Sequence, residues 1–271
     1  MPKFICETCG VQYSKSETPP DKCIICNEER QYVNPSGQSW TTLEEMQASG
    51  AYQNEISEID NKLLMIQTKP KYAIGQSAYL IQNKGLNLLW DCITYLDEET
   101  IRQIKDKGGI DAIALSHPHY YASQVEWAET FDALIYIHED DRQFVTRESE
   151  RIRYWQGDSL ALYPTVTLHR IGGHFKGAAI AHWTKDNGKL FTGDVIRVAA
   201  DRNWATFMYS YPNFIPLSSK VVKRMANQVK QLSFEQLYDA FQRVMEMDAR
   251  QKVLNSAVRY ISAINDELAD T

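Results

Sequence analysis

Two histidines one residue apart, His117 and His119, follow an apolar run, Ile110 to Leu115, that reads as a short buried strand. In an extended loop leaving that strand, both imidazoles can turn the same way and offer two nitrogens to one metal ion. Gly172-Gly173-His174 and Phe191-Thr192-Gly193-Asp194 each set another metal-competent side chain just after a strand-like stretch. Together His117, His119, His174 and Asp194 make a candidate site for one zinc or other transition metal.

A second metal chemistry stands at the N-terminus. Cys6-x-x-Cys9 and Cys23-x-x-Cys26 form two knuckles whose four thiolates close a tetrahedral shell with no open position, as in a structural zinc ribbon. A redox-active dithiol and a four-thiolate iron centre are the competing uses of that spacing. So small a segment cannot bury enough apolar surface to hold itself together, so its metal supplies much of its folding energy.

The chain that must position these groups has 271 residues, is 44% hydrophobic and 24% charged, and carries a formal charge of -6. That is enough for one large domain with a small appendage. The acidic balance, with Lys and Arg scattered, argues against nucleic acid as a partner. No apolar signal core opens the chain and no run of about 18 apolar residues occurs, so the expectation is a cytoplasmic protein with no membrane association. The expected organisation is a ribbon over 1–33, a connector over 34–54 in which Thr41 or Thr42 caps a short helix, and a main domain over 55–271. Within it, Ile56–Ile59, Leu63–Gln67, Gln76–Gln82 and Leu86–Trp90 read as an antiparallel meander. Helices over Asp97–Lys107, Ser123–Phe131 and Asp140–Arg147 then alternate with strands, which indicates a layered α+β fold. Ala161–Ile171, Gly177–Thr184 and Lys189–Thr192 return to strand. Three helices close the chain within 220–268, at Lys220–Gln231, Ser233–Met247 and Ala249–Asp266. In the second, Phe234, Leu237, Phe241 and Val244 share a face behind a Ser233 N-cap.

In order and spacing, Leu88-Leu89-Trp90-Asp91, Ser116 to Ala122, Gly172-Gly173-His174 and Phe191-Thr192-Gly193-Asp194 resemble the four motif segments of the metallo-β-lactamase superfamily. The resemblance covers roughly Glu55 to Thr271 and implies a four-layer αββα sandwich with its metal site at one edge of two facing sheets. The ribbon, rubredoxin-like in its Cys-x-x-Cys-Gly start, together with Arg30-Gln31-Tyr32-Val33 and Gly37-Gln38-Ser39-Trp40, is similar to an extension on one uncharacterised branch of that superfamily. Against the His-x-His-x-Asp-His signature, His117 and His119 are kept, but the Asp position is Tyr121 and the next His position is Ala122. Beyond His182 the chain has no histidine, so a second metal site built from that Asp and two further histidines cannot form here. The resemblance then implies one site, His117, His119 and His174, with Asp194 as fourth ligand or hydrogen-bond acceptor. Asp91 would orient a histidine rather than bind metal.

A single zinc acting as a Lewis acid and acidifying water suits hydrolysis of a small-molecule ester, lactone, thioester or amide. Asp194 is then the candidate base, and Tyr120 or Tyr121 a candidate donor to an oxyanion. The bland reading of Tyr121 is packing into the space of the lost second metal. Without that metal, a non-hydrolytic sensor or scaffold is the alternative, and metal-dependent redox chemistry relayed by the ribbon a third. His138, His169 and His182 read as structural, and Cys92 as a buried thiol. The aromatic stretch Trp204–Phe214 serves either as a substrate wall or as packing beneath the last helices. The helical C-terminus offers a homodimer surface.

Overall fold

Short apolar runs broken by tight turns dominate the first half of the chain. In a computed structural model, which describes residues 1–31 and 34–268, they pair into one sheet. Tyr32 and Val33 of the extension motif, and 269–271 at the end of the expected main domain, lie outside the described residues. In the ribbon, β1 (Phe4–Cys6) pairs antiparallel with β2 (Trp40–Thr42). Thr42 caps α1 (Leu43–Ser49): its hydroxyl accepts the Glu45 amide, and the Glu45 carboxylate accepts the Thr42 N–H. β3 (Gln53–Asp60), β4 (Leu63–Lys69), β5 (Ala78–Asn83) and β6 (Leu86–Trp90) form the antiparallel meander. Helical crossovers follow. α2 (Glu98–Asp106), capped by Asp97, leads to β7 (Ala112–Ala114), α3 (Gln124–Phe131) to β8 (Leu134–His138), and a 3₁₀ segment, Glu139–Phe144, to β9 (Ile152–Trp155). A strand that returns through a crossover must run parallel to its neighbour, and β6 to β9 do. The seven strands β3 to β9 lie in chain order. The segment expected as a helix from Asp140 to Arg147 is that 3₁₀ turn, started by the His138 ring, which accepts the Asp140 amide at 3.2 Å.

Among the remaining elements, β10 (Ser159–Tyr163), β11 (Val166–Arg170), β12 (Ala179–Trp183), β13 (Lys189–Phe191), β18 (Gln236–Tyr238) and β19 (Val244–Met245) form a six-stranded sheet in that order. The single run expected over Ala161–Ile171 is split by a turn at Pro164-Thr165 into β10 (Ser159–Tyr163) and β11 (Val166–Arg170). β12 (Ala179–Trp183) and β13 (Lys189–Phe191) follow, then two small antiparallel pairs, β14 (Arg197–Val198) with β15 (Ala205–Thr206) and β16 (Met208–Ser210) with β17 (Ile215–Pro216). α4 (Ser219–Val229), β18 (Gln236–Tyr238), β19 (Val244–Met245) and α5 (Ala249–Ile264) complete the chain.

The middle one of the three expected C-terminal helices, Ser233–Met247, is therefore β18, a turn and β19. The open edge of β13 recruits Leu237 opposite Leu190 in parallel register, which buries Leu237 completely. The buried Asp239 carboxylate then accepts the amides of Phe241 and Arg243, at 2.8 and 3.0 Å, and so folds the turn that a helix would have to pass through. Ser233 caps nothing; its carbonyl meets His182 Nε2 at 2.8 Å. Tertiary pairing overrode a sequence pattern of helical period.

The chain divides into two compact units, Met1–Trp155 and Gln156–Thr271. The ribbon is part of the first: Cys6, Cys9, Cys23, Cys26, Val11 and Ile25 share one core with Leu64, Leu80, Leu89, Ile113 and Tyr121. Among the described residues no helix is long and apolar enough to cross a membrane.

Candidate metal centres

In the first unit, parallel pairing of β6 with β7 brings Asp91 and Ser116 side by side just past the strand ends. Asp91 sits in the left-handed region (φ 58°), which aspartate tolerates, and its amide donates to the Ala114 carbonyl at 2.9 Å. Its carboxylate accepts the Ser116 amide at 2.7 Å, and Ser116 Oγ lies 2.9 Å from His117 Nδ1. Asp91 thus acts on His117 through Ser116. With Nδ1 engaged, Nε2 is the nitrogen that a metal would take. Pro118–Tyr120 forms a 3₁₀ turn where an extended loop was expected. It still brings a ligand atom of His119 within 4.8 Å of one of His117. Both rings are buried, their centroids 5.0 Å apart.

The two tyrosines next to this pair part company. Tyr120 rests edge-on against His117, ring centroids 4.5 Å apart. Tyr121 is buried in the core shared with the ribbon, and desolvation, with the Asp141 carboxylate, pushes its hydroxyl well above the usual tyrosine range. Its ring packs in that core together with Leu115 and Val125.

In the second unit, the loop after β11 begins Ile171-Gly172-Gly173, with both glycines at positive φ. The Gly173 backbone also comes close to two side chains: a Cβ there would lie 2.9 Å from Met225 Sδ and 3.0 Å from Leu217 Cδ1. This close approach seats His174, fully buried, with Nδ1 3.2 Å from the Met208 carbonyl. Beyond β13, the turn at Gly193 carries Asp194, whose Oδ1 lies 3.7 Å from His174 Nε2. Tyr211, whose ring centroid is 6.0 Å from that of His174, is held well above the usual tyrosine range by burial and by the Asp194 carboxylate. In the aromatic stretch, Phe207 packs against Tyr260 of α5, the Tyr211 ring stands beside His174, and Phe214 is 84% exposed.

The ribbon cysteines are buried and carry no disulfide. Cys6 and Cys26, and Cys9 and Cys23, stand 3.6 Å apart at sulfur, and all four offer sulfurs within 4.8 Å of one another. That donor set suits a four-thiolate metal. The Gln38 side chain joins the two knuckles, donating to Cys6 Sγ at 3.2 Å and accepting the Cys23 amide at 3.3 Å.

Of the three other histidines, His138 starts the 3₁₀ turn beside Trp155, His182 meets the Ser233 carbonyl, and His169 lies with its ring centroid 6.0 Å from that of His182. Cys92 is fully buried, its thiol donating to the Ile93 carbonyl and raised by desolvation. Sequence reasoning passed over Ser116, Gln38 and Tyr211 as site residues, and the Met208 carbonyl. Ser116 and Tyr211 stood inside stretches it had singled out; a backbone carbonyl leaves no signal in residue types.

No family model matches the chain. It is 56% identical over 274 residues to the uncharacterized protein YmaE of Bacillus subtilis (strain 168), with the whole of both chains covered. Among solved structures it is similar to the metallo-β-lactamase DIM-1, at 12% identity and a TM-score of 0.57, over 76% of this chain and 97% of that one. It is similar also to the metallo-β-lactamase FIM-1 from Pseudomonas aeruginosa in its mono-zinc form, at 13% identity and a TM-score of 0.56, over 76% and 95% of the two chains. At such identities the likeness establishes the fold, the αββα class of the metallo-β-lactamases, here with a small four-cysteine ribbon at the N-terminus.

Proposed function

We propose that this chain, which belongs to the family of Bacillus subtilis YmaE and has the metallo-β-lactamase fold, is a single-metal hydrolase of a small ester, lactone, thioester or amide. His117, His119 and His174 would hold one zinc ion, with Asp194 beside it as a hydrogen-bond acceptor that leaves the fourth position to water. The carrying observation is the orientation of two histidines by their Nδ1 atoms, His117 on Ser116 Oγ and His174 on the Met208 carbonyl. Buried imidazoles fixed at one nitrogen by an outer partner are what metal ligation requires. When bound, zinc polarises a carbonyl and acidifies water. From that place Asp194 would accept a proton from the attacking water, and Tyr120, against His117, would steady the oxygen that becomes negative. Asp91 and Ser116 keep His117 in place throughout. Zinc likewise fills the ribbon, whose thiols stay reduced in the cytoplasm.

The test is an ester, lactone, thioester and amide panel with the zinc-loaded protein. Turnover that His119→Ala reduces to background is expected; turnover unchanged by that substitution contradicts the proposal. Tyr121 and Ala122, standing where the superfamily signature has second-metal ligands, favour the non-hydrolytic reading, sensor or scaffold. Tight metal binding with no turnover across the panel would support it. A visibly coloured ribbon would instead point to four-thiolate iron and redox chemistry.

A further inference from the structure

Ala122, three residues past His119, is held at φ 45°, a conformation that costs a non-glycine residue about 1 kcal/mol or more. The first cysteine knuckle is what holds it. The Gln12 amide, three residues past Cys9, donates to the Ala122 carbonyl at 3.0 Å. Gly10, next to Cys9, turns its carbonyl to Thr94 Oγ1 at 2.9 Å. The carbonyls of Thr94 and Ile93 in turn accept from Ser123 Oγ, at 2.6 and 3.3 Å. Packing at this seam is tight: a Cβ on Gly10 would lie 2.2 Å from Thr94 Oγ1. Gly10 to Gln12 therefore grips both chain segments that frame the histidine pair, the one running on from Asp91 and the one after Tyr121. Its own shape comes from the knuckle, where the Gly10 amide donates to the Cys6 carbonyl at 2.7 Å and the Cys6 amide to the Val11 carbonyl at 3.0 Å. Tyr121 lies in the core that the four cysteines share.

We propose that Gly10, Gln12 and Thr94 are positioning residues for the His117–His119 loop, so that metal in the four-cysteine ribbon sets the metal affinity of the histidine centre. This rests on the metal-centre reading above. It assigns the ribbon a task in the same unit, that of bracing the loop at the positions where the superfamily signature has metal ligands. Losing the ribbon's metal would relax Gly10–Gln12, release the Ala122 carbonyl and let the two imidazoles drift apart.

The experiment titrates the full-length protein with cobalt. Thiolate charge-transfer absorption reads the ribbon, and the weaker ligand-field bands of nitrogen- and oxygen-bound cobalt read the histidine centre. Amide hydrogen exchange over Ser116–Ser123 is followed in parallel. In Cys23→Ser the ribbon band is lost, histidine-centre affinity drops by about tenfold or more, and the loop amides lose protection. Thr94→Val keeps the ribbon band and shifts the other two readouts the same way, by less. A folded Cys23→Ser protein with wild-type histidine-centre affinity and unchanged loop exchange overturns the proposal. Should Cys23→Ser fail to fold, Thr94→Val decides, and unchanged loop exchange there overturns it equally. A wild-type protein that takes up no cobalt at the histidines defeats the metal-centre reading, while the exchange comparison still decides the bracing of the loop.

Discussion

The ribbon and the histidine centre are metal-competent clusters built on opposite plans. The ribbon draws all four ligands from one short stretch, Cys6 to Cys26, and its sulfurs stand in mutual contact with one outside side chain, Gln38, across them. The proposed histidine centre would instead draw its ligands from loops after β7, β11 and β13, and each oriented ring has a partner of a different kind, a serine hydroxyl for His117 and a backbone carbonyl for His174. A closed set of thiolates builds a fold. A set of imidazoles aimed by hydrogen bonds borrows its precision from a fold already made, which is what chemistry on a bound substrate needs.

The largest effect expected from that difference is on stability. Cys9→Ser should remove the ribbon's metal, and with it a substantial part of the roughly 10 kcal/mol or more that structural zinc contributes in small domains. Thermal unfolding with and without chelator measures it; a variant as stable as wild type would break the contrast. At the other cluster, His119→Ala should abolish turnover while the ribbon keeps its metal, so activity and thiolate-bound metal are lost independently in this direction. Ser116→Ala should weaken metal binding at the histidine centre by about 10–100-fold by releasing His117 Nδ1, with little change in unfolding. Equal affinity in that variant would mean that the ring is aimed by packing alone.

The smallest effect comes from a histidine outside both clusters. Burial, with His182 nearby, holds the half-buried His169 down to about 4 from its ordinary 6.5. The unfolded chain therefore takes up this proton first, and stability falls as pH drops from about 6.5 to about 4. Partial exposure keeps the loss below about 3 kcal/mol. His169→Gln should flatten that part of the pH–stability curve, leaving the metal count unchanged.

Much of this could be read from residue order, for a physical reason. His117, His119, His174 and Asp194 stand in short motifs at strand ends, and a strand end is a local property that apolar runs and glycines announce. The meander and the Thr42 cap are equally local. The middle of the C-terminal region, Ser233–Met247, was misread because Phe234, Leu237, Phe241 and Val244 carry a helical period, while the open edge of β13 and the Asp239 turn that displaced the helix are contacts over distance. Asp91 showed itself by its place after β6, but that it acts through Ser116 depends on the β6–β7 register. The aiming of His174 by the Met208 carbonyl could not be read at all, since every residue has a carbonyl.

The measurement that tests the central claim most directly is metal content per chain, on protein purified without added metal, for wild type and for His117→Ala/His119→Ala. Two metals in wild type and one in the variant are expected, the remaining one held by thiolates. One metal in both would contradict a histidine centre and leave the four-cysteine ribbon as the only metal site.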